Sequence, residues 1–367
     1  MSTQNMVISA DSHVLEPEDL WEKALAGKYE GHIPRVVNGF QGMKGQFFYL
    51  GRKGEAARVE EMVDANDTDR RLADLAKAGK DPIARLAMMD SDRIAAEVLN
   101  PTWGLWVPRI LHPEARKACA RVYNDWIADY VSTDKRRLVG VALVPIDDVD
   151  WAVEELRRCA KRGLRGVVIA TNPPTGALPY RDPYYDKFWA TVSEMKMPVT
   201  VHIVTGSVRD PFTYHGADER GEVPKSFIDL FGEAAPVLAN EFIFGGIFDR
   251  FPALKIFLSE YDASWLPILK YRVERIQKFP GLTPLKKAAS RYVDDNIVVG
   301  IINDPLAQKL RYEIGIDKIL WGSDFPHPPC PYPRTHEKIA EITSDLTVEE
   351  RRKVTFDNAK KLYEIDV

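Results

Sequence analysis

The sequence predicts an α/β fold, a closed barrel of parallel strands ringed by helices, and three observations predict it. Short apolar segments of strand length alternate with longer amphipathic segments from Val7 to the end of the chain. The count comes to eight strand-and-helix units, with no internal repeat and no low-complexity linker between them. No GxGxxG follows any strand, which disfavours a doubly wound open sheet. The expectation is a single (β/α)8 TIM-barrel domain over residues 1–367, with its functional site at the C-terminal mouth of the strands.

In order, Val7–Ala10 reads as a buried strand, Leu15-Glu16-Pro17 as a turn and Glu18–Trp21 as the start of a short helix. Residues 22–80 read as an excursion from the barrel, a lid or an oligomer contact, with a hairpin strand at Gln46–Leu50 and a partly exposed helix from Glu55 to Lys80 marked by Val59, Met62 and Leu72. Regular alternation follows. Strands are expected at Ala95–Asn100, Leu138–Val144, Gly166–Ala170, Pro198–Ile203, Lys255–Ser259, Asn296–Ile301 and Lys318–Trp321. Helices are expected at Pro82–Asp90, Pro113–Val131, Trp151–Arg162 with its stop at Gly163, Tyr184–Met195, Pro224–Ala239, Trp265–Lys278, Pro305–Ile314, Thr335–Ile342 and Val348–Tyr363. A barrel of this kind needs about 250 residues, and the excess fits the 22–80 excursion and the loop 205–222.

Composition narrows the class. With 367 residues, 45% hydrophobic and 28% charged, the chain can bury a sizeable core. Its 50 basic and 54 acidic residues give a formal net charge of -4 and no basic stripe, so nucleic acid is not an expected partner. Cys119, Cys159 and Cys330 are far apart and form no CxxC pair, which fits a reducing cytoplasm rather than a disulfide framework or a thiolate zinc cluster. Neither an export signal nor an apolar run of membrane-spanning length is present, so a soluble chain without a membrane partner is expected.

Four polar residues share the ends of different strands. Asp11 and His13 follow the first strand and, two residues apart on an extended segment, point to one side. His202 ends the fifth strand and Asp324 follows the eighth. In a closed barrel these ends face one cavity, where N and O donors can meet at a single cation. Taken singly, each has a plainer reading: Asp-Ser-His as a hydrogen-bonded turn, His202 as a satisfied core histidine, Asp324 as a helix cap.

Further motifs support a resemblance. Asp11-Ser12-His13 with Glu16-Pro17, Pro145, Val201-His202, Phe251-Pro252-Ala253-Leu254-Lys255, Trp265-Leu266-Pro267, Gly322-Ser323-Asp324-Phe325-Pro326-His327 and Asn358-Ala359-Lys360-Lys361-Leu362-Tyr363 run through nearly the whole chain. In these residues it resembles the decarboxylase-type branch of the amidohydrolase superfamily, the branch of aminocarboxymuconate semialdehyde, resorcylate, carboxyvanillate and iso-orotate decarboxylases. The resemblance implies one divalent metal, Zn2+ or Mn2+, on Asp11, His13, His202 and Asp324, no organic cofactor and a homodimer. Thr171-Asn172 stands at the end of the fourth strand, where dinuclear relatives carry a bridging lysine, so a single ion is implied. On strand six many relatives have a histidine beside the metal, and this chain has Glu260 instead, a proton-transfer group or a structural hydrogen-bond acceptor. Arg272 matches an arginine that in relatives binds a substrate carboxylate, often across a dimer interface, and is otherwise a solvated helix residue. Trp103 and Trp106 offer an apolar wall or simple packing, and His327 a substrate contact or a loop brace.

The function expected from these residues is nonoxidative decarboxylation of a small aromatic or unsaturated carboxylic acid, with Asp324 or Glu260 as the proton donor. The same ligands would serve hydrolysis of a C–C, lactone or amide bond by metal-activated water. A noncatalytic binding or assembly barrel is the third reading.

Overall fold

The computed structural model describes residues 6–40, 42–50, 56–58, 70–174, 176–206, 230–327 and 329–367. Its strands are β1 (Val7–His13), β2 (Arg35–Phe40), β3 (Met43–Tyr49), β4 (Ala56–Arg58), β5 (Ile94–Asn100), β6 (Leu138–Gly140), β7 (Ala142–Leu143), β8 (Val167–Ile169), β9 (Val199–His202), β10 (Ile256–Ser259), β11 (Ile297–Ile301) and β12 (Ile319–Trp321). Two parallel runs, β1-β5-β6 and β12-β11-β10-β9-β8-β7, form the barrel wall. The fold is the α/β barrel that the alternation predicted. β1, β5, β8, β9, β10 and β12 are buried along their whole length, as parallel strands covered by helices must be.

The two runs join at Val141 and at the seam between β1 and β12. The strand expected over Leu138–Val144 breaks at Val141, whose N–H donates to Leu99 O at 3.3 Å, whereas the N–H of Ala142 donates to Gly166 O at 2.8 Å. The chain changes partner there, which bends one strand into two. At the seam, Asp324 N–H donates to Asp11 O at 2.9 Å and His13 N–H to Phe325 O at 2.5 Å. The hydroxyls of Ser9, Ser12 and Ser323 fill the space beneath, 2.8 to 3.1 Å apart. A register shift between Ser9 and Ser12 against β5 marks a bulge in β1, the kind of irregularity that re-aims side chains at a barrel rim.

The helices begin and end where local chemistry provides for their unpaired backbone groups. Pro113–Val131 starts on a proline, and Val149–Arg162 starts at Asp148, which accepts from Trp151 N–H at 3.1 Å, and stops at Gly163 with φ 101°. The long helix expected over Pro305–Ile314 is divided at Leu310, and that over Val348–Tyr363 contains a π-helical turn at Lys353–Asp357. Among the elements not anticipated are the strand Arg35–Phe40, the 3-10 helix Trp103–Arg109, the short helix Ile247–Arg250 and the helix Ala289–Asn296 ahead of β11.

The 22–80 excursion contains an antiparallel sheet, β2-β3-β4, followed by the helix Arg70–Lys80. The helix expected to begin at Glu55 is corrected: Ala56–Arg58 instead pairs with Phe47–Tyr49, where a neighbouring strand edge satisfies its backbone groups. Val59 and Met62 lie outside the described residues, as do most of the loop 205–222 and the first turns of the helix expected from Pro224. The excursion sheet reaches the barrel through Phe48, which is fully buried and stacks on Trp103 with ring centres 4.8 Å apart.

Gly322 controls the seam. A Cβ there would lie 2.5 Å from Asp11 Cβ and 3.1 Å from both Asp11 N and O. Gly322→Ala is expected to lower stability by about 1–3 kcal/mol or more through overpacking against backbone. Urea unfolding with an unchanged slope and a lower midpoint is the expected result, and an unaltered midpoint would contradict this account of the closure.

Candidate metal centre

The strand ends deliver six titratable side chains to one place. Asp11 and His13 come from the end of β1, His202 from the end of β9, Glu260 from the residue after β10, and Asp324 and His327 from the turn after β12. Among them, ligand atoms of Asp11, His13, His202 and Glu260 lie within 4.8 Å of one another, and so do those of His13, Glu260, Asp324 and His327. The two quartets share His13 and Glu260. His13 Nε2 is 3.6 Å from Asp11 Oδ1, 3.5 Å from Asp324 Oδ1 and 3.8 Å from Glu260 Oε1.

The tautomers can be read from the backbone. His13 Nδ1 is 2.8 Å from Pro101 O and His202 Nδ1 is 3.0 Å from Ile203 O. A carbonyl only accepts, so both Nδ1 atoms carry hydrogen. In the neutral rings each Nε2 then presents a lone pair, and these two atoms face each other at 3.2 Å. Asp11 Oδ1 stands 3.7 Å from His202 Nε2, while Asp11 Oδ2 is buried with no partner among the described residues. In the neutral rings, facing lone pairs beside the Asp11 carboxylate form a set that a divalent cation with N and O ligands fits.

Ionisation follows the same crowding. Burial, the largest influence on Asp11, pushes its carboxyl up, but the hydrogen bond and charge of His202 and the charge of His13 overturn it and bring the group down to about 2. Burial pulls His13 well below the usual histidine range, helped by the positive ends of His327 and His202. His202 is also pulled down by burial, yet Glu260 and Asp11 outweigh it and leave the ring raised. Burial and then Asp324 push Glu260 well above the carboxylate range, and burial lifts Asp324 to about 8. The Glu260 and Asp324 carboxyls are hydrogen-bond partners. Asp11 is therefore the anionic member of the cluster, and the other two acids favour the protonated form.

The residues around the cluster hold it in place. Asn100, the last residue of β5, donates from Nδ2 to Asp11 Oδ1 at 2.7 Å. His327 Nδ1 lies 2.6 Å from Asp324 Oδ1 and its Nε2 lies 3.0 Å from Thr102 Oγ1. Glu16, fully buried, accepts the backbone N–H groups of Thr102, Trp103 and Gly104 at 3.3, 3.0 and 2.9 Å, which caps the 3-10 helix over the mouth. Glu260 and Asp324 both sit at positive φ, 63° and 54°, a left-handed conformation that costs a non-glycine residue about 1–3 kcal/mol and collects at functional sites.

Other expected site residues lie apart from this geometry. Arg272 is exposed on the outer helix Leu266–Ile276 and makes no hydrogen bond or ion pair among the described residues. Trp103 is buried and stacked on Phe48. Asn100, Thr102 and the Glu16 cap were missed as supports. Asn100 was accessible to the rule that gathered the ligands, a polar residue ending a barrel strand; the cap was not, because its partners are backbone amides.

The centre predicts its own titration with metal. Protein stripped by chelator should take up one Mn2+ or Zn2+ per chain, and at 100 times the dissociation constant the ion should stabilise the fold by about 2.7 kcal/mol. Asp11→Asn and His202→Ala should each remove most of that gain in calorimetry. Equal stabilisation of both variants and the parent protein would show that the ion binds elsewhere.

Known proteins share this architecture. A family model described as amidohydrolase matches residues 104–365. A gamma-resorcylate decarboxylase from a Polaromonas species is 26% identical over 295 residues, covering 77% of this chain and 87% of its own. A 2-amino-3-carboxymuconate-6-semialdehyde decarboxylase from Dictyostelium discoideum is 25% identical over 256 residues, covering 68% of this chain and 67% of its own. Among solved structures, an amidohydrolase from Mycobacterium avium subsp. paratuberculosis superposes with a TM-score of 0.78 at 23% identity, covering 99% of both chains. A Polaromonas dihydroxybenzoic acid decarboxylase with bound manganese and 2-nitroresorcinol gives 0.66 at 22% identity, covering 98% of this chain and 97% of its own. With well over half of its length matched by the family model, and the strand-end cluster seated in the family's barrel, the chain belongs to the amidohydrolase family.

Proposed function

We propose that this protein is a metal-dependent nonoxidative decarboxylase of a small aromatic or unsaturated carboxylic acid. The observation that carries the reading is the pairing of two features in one cavity. Two imidazole lone pairs face each other beside Asp11, and two hydrogen-bonded acids, Glu260 and Asp324, stand next to them. The names of the relatives support it, since decarboxylases of resorcylate and of aminocarboxymuconate semialdehyde are among them.

The ligands assigned are Asp11, His13, His202 and Asp324. When bound, a divalent ion, Mn2+ or Zn2+, supplies a Lewis acid that anchors the substrate's carboxylate and a neighbouring oxygen. The chain's own groups do the rest. Asp324, held by His327 and Glu260, delivers a proton to the carbon that bears the carboxylate. The C–C bond then breaks, its electron pair restores the unsaturated system, carbon dioxide leaves, and the carboxyl proton is replaced from solvent. No organic cofactor is needed for this balance.

Trp103 and His327 are assigned to the substrate's surroundings. Arg272, exposed and without an ion pair among the described residues, is assigned to the substrate carboxylate of a partner subunit in a homodimer. Residues 1–367 are read as one catalytic domain with an insertion at 22–80. Three free buried cysteines support a cytoplasmic setting, and no helix among the described residues is long and apolar enough to cross a membrane.

The test is Mn2+-loaded protein with 2,6-dihydroxybenzoate and related unsaturated acids in heavy water. The expected outcome is carbon dioxide release with one deuterium at the vacated carbon, and a fall in kcat of about 100- to 10,000-fold in Asp324→Asn. Incorporation of labelled water oxygen without carbon dioxide would instead establish the hydrolytic reaction. Stoichiometric failure to bind any metal would leave a noncatalytic barrel.

A further inference from the structure

The decarboxylase reading assigns Glu260 to proton transfer with Asp324, but its position carries another role. Of the two quartets, the one formed by Asp11, His13, His202 and Glu260 contains both facing imidazoles and the Asp11 carboxylate. Asp324 belongs only to the other quartet, where His327 Nδ1 holds it at 2.6 Å. Glu260 is the carboxylate that lies within 4.8 Å of both imidazoles and Asp11 at once, while Asp324 Oδ1 comes nearer to His13 Nε2 alone, 3.5 Å against 3.8 Å.

Its backbone explains how it arrives there. β10 ends at Ser259, and Glu260 takes a left-handed φ of 63°, which turns its side chain into the cluster with Oε1 3.8 Å from His13 Nε2. A non-glycine residue keeps that conformation only where its surroundings hold it. The side chain is 13% exposed, so it can meet both the cluster and the open mouth.

We propose that Glu260 is a direct ligand of the cation, joining Asp11, His13 and His202, and that it biases the centre toward Mn2+. The proposal rests on the metal-dependent reading above and deepens it. A carboxylate adds a hard, anionic oxygen in the position where an imidazole would favour Zn2+. With Asp324 included, three carboxylates and two imidazoles would hold the ion, a donor set weighted toward hard oxygen. Proton delivery then falls to Asp324 with His327.

The test measures metal without substrate. Calorimetric titration of Mn2+ and Zn2+ into chelator-stripped parent protein, Glu260→Gln, Glu260→Asp and Glu260→His is combined with the Mn2+ electron paramagnetic resonance spectrum of each. Loss of an outer-sphere partner costs about 10- to 100-fold in affinity. For Glu260→Gln the expected loss of Mn2+ affinity exceeds that range, with an altered spectrum. Glu260→Asp, which keeps the charge but withdraws the oxygen, should also lose Mn2+ affinity and change the spectrum. Glu260→His should move the Mn2+-to-Zn2+ preference toward Zn2+ by tenfold or more. A crystal structure of the Mn2+-loaded parent protein, which does not depend on any variant folding, should place a Glu260 oxygen within about 2.5 Å of the ion. Parent affinity in Glu260→Asp with an unchanged spectrum, or a Glu260 carboxylate beyond hydrogen-bond distance of the ion, overturns the proposal. In either case Mn2+ binding by the parent protein still stands, whereas no Mn2+ binding by the parent protein defeats the metal-dependent reading itself.

Discussion

Closure of the barrel between its first and last strands is the constraint on which the rest of the structure depends. The backbone hydrogen bonds from Asp324 to Asp11 and from His13 to Phe325 draw the two ends of the chain into register. Only a glycine at position 322 lets the strands approach so closely, because any side chain atom there would collide with Asp11. Asp11 and Asp324 are adjacent in space because of this seam, and neither segment alone could bring its carboxylate to the cavity. Side-chain hydroxyls rather than apolar atoms fill the space beneath, so the seam is bonded as well as packed.

A buried arginine reinforces the same region. Arg85, fully buried on the helix Pro82–Ser91, donates from Nε to Glu97 at 2.5 Å and from Nη1 to His13 O at 2.6 Å. Its guanidinium also lies over the Phe325 ring, 4.7 Å from the centre. One planar cation thus ties the end of β1 and the turn after β12 to the middle of β5. A lysine has no fork to make these contacts together, and removal of either ion-pair partner would leave a buried charge uncompensated, at a cost of about 3–5 kcal/mol. Placing this pair directly behind His13 fixes the backbone from which the imidazole projects.

The chemistry of the centre is set by groups that cannot relax away from each other. Each imidazole is locked by a carbonyl on its Nδ1 side, Asp11 by Asn100, and Asp324 by His327. With their outer sides taken, their remaining donor atoms face inward, and burial removes the water that would otherwise soften the opposition of like groups. The left-handed backbone at Glu260 and Asp324 is part of the same arrangement, since it turns two acids toward a cavity that an ordinary strand end would have pointed them past. The excursion sheet packs on the 3-10 helix through Phe48 and Trp103, and Glu16 holds the start of that helix by three backbone amides. Structural effort is concentrated on the mouth rather than spread around the barrel.

The linear sequence determined the strand-and-helix order, because burial on both faces leaves mainly apolar runs at β1, β5 and β9, interrupted by Ser9, Glu97 and Thr200, that need no tertiary knowledge to recognise. It also determined the pool of candidate groups, since Asp11, His13, His202 and Asp324 each stand at the end of such a run. Tertiary structure alone decided which of these groups share one space. Glu260 reaches the two imidazoles through a backbone turn that no periodicity announces, and Ala56–Arg58 becomes a strand because a neighbouring edge is there to pair with it. Glu16 became a cap for amides that are unpaired only once the loop above it has folded. Residue type and spacing record what a side chain can do; distance, tautomer and desolvation arise only when segments remote in the chain are brought together, and these decide what it does.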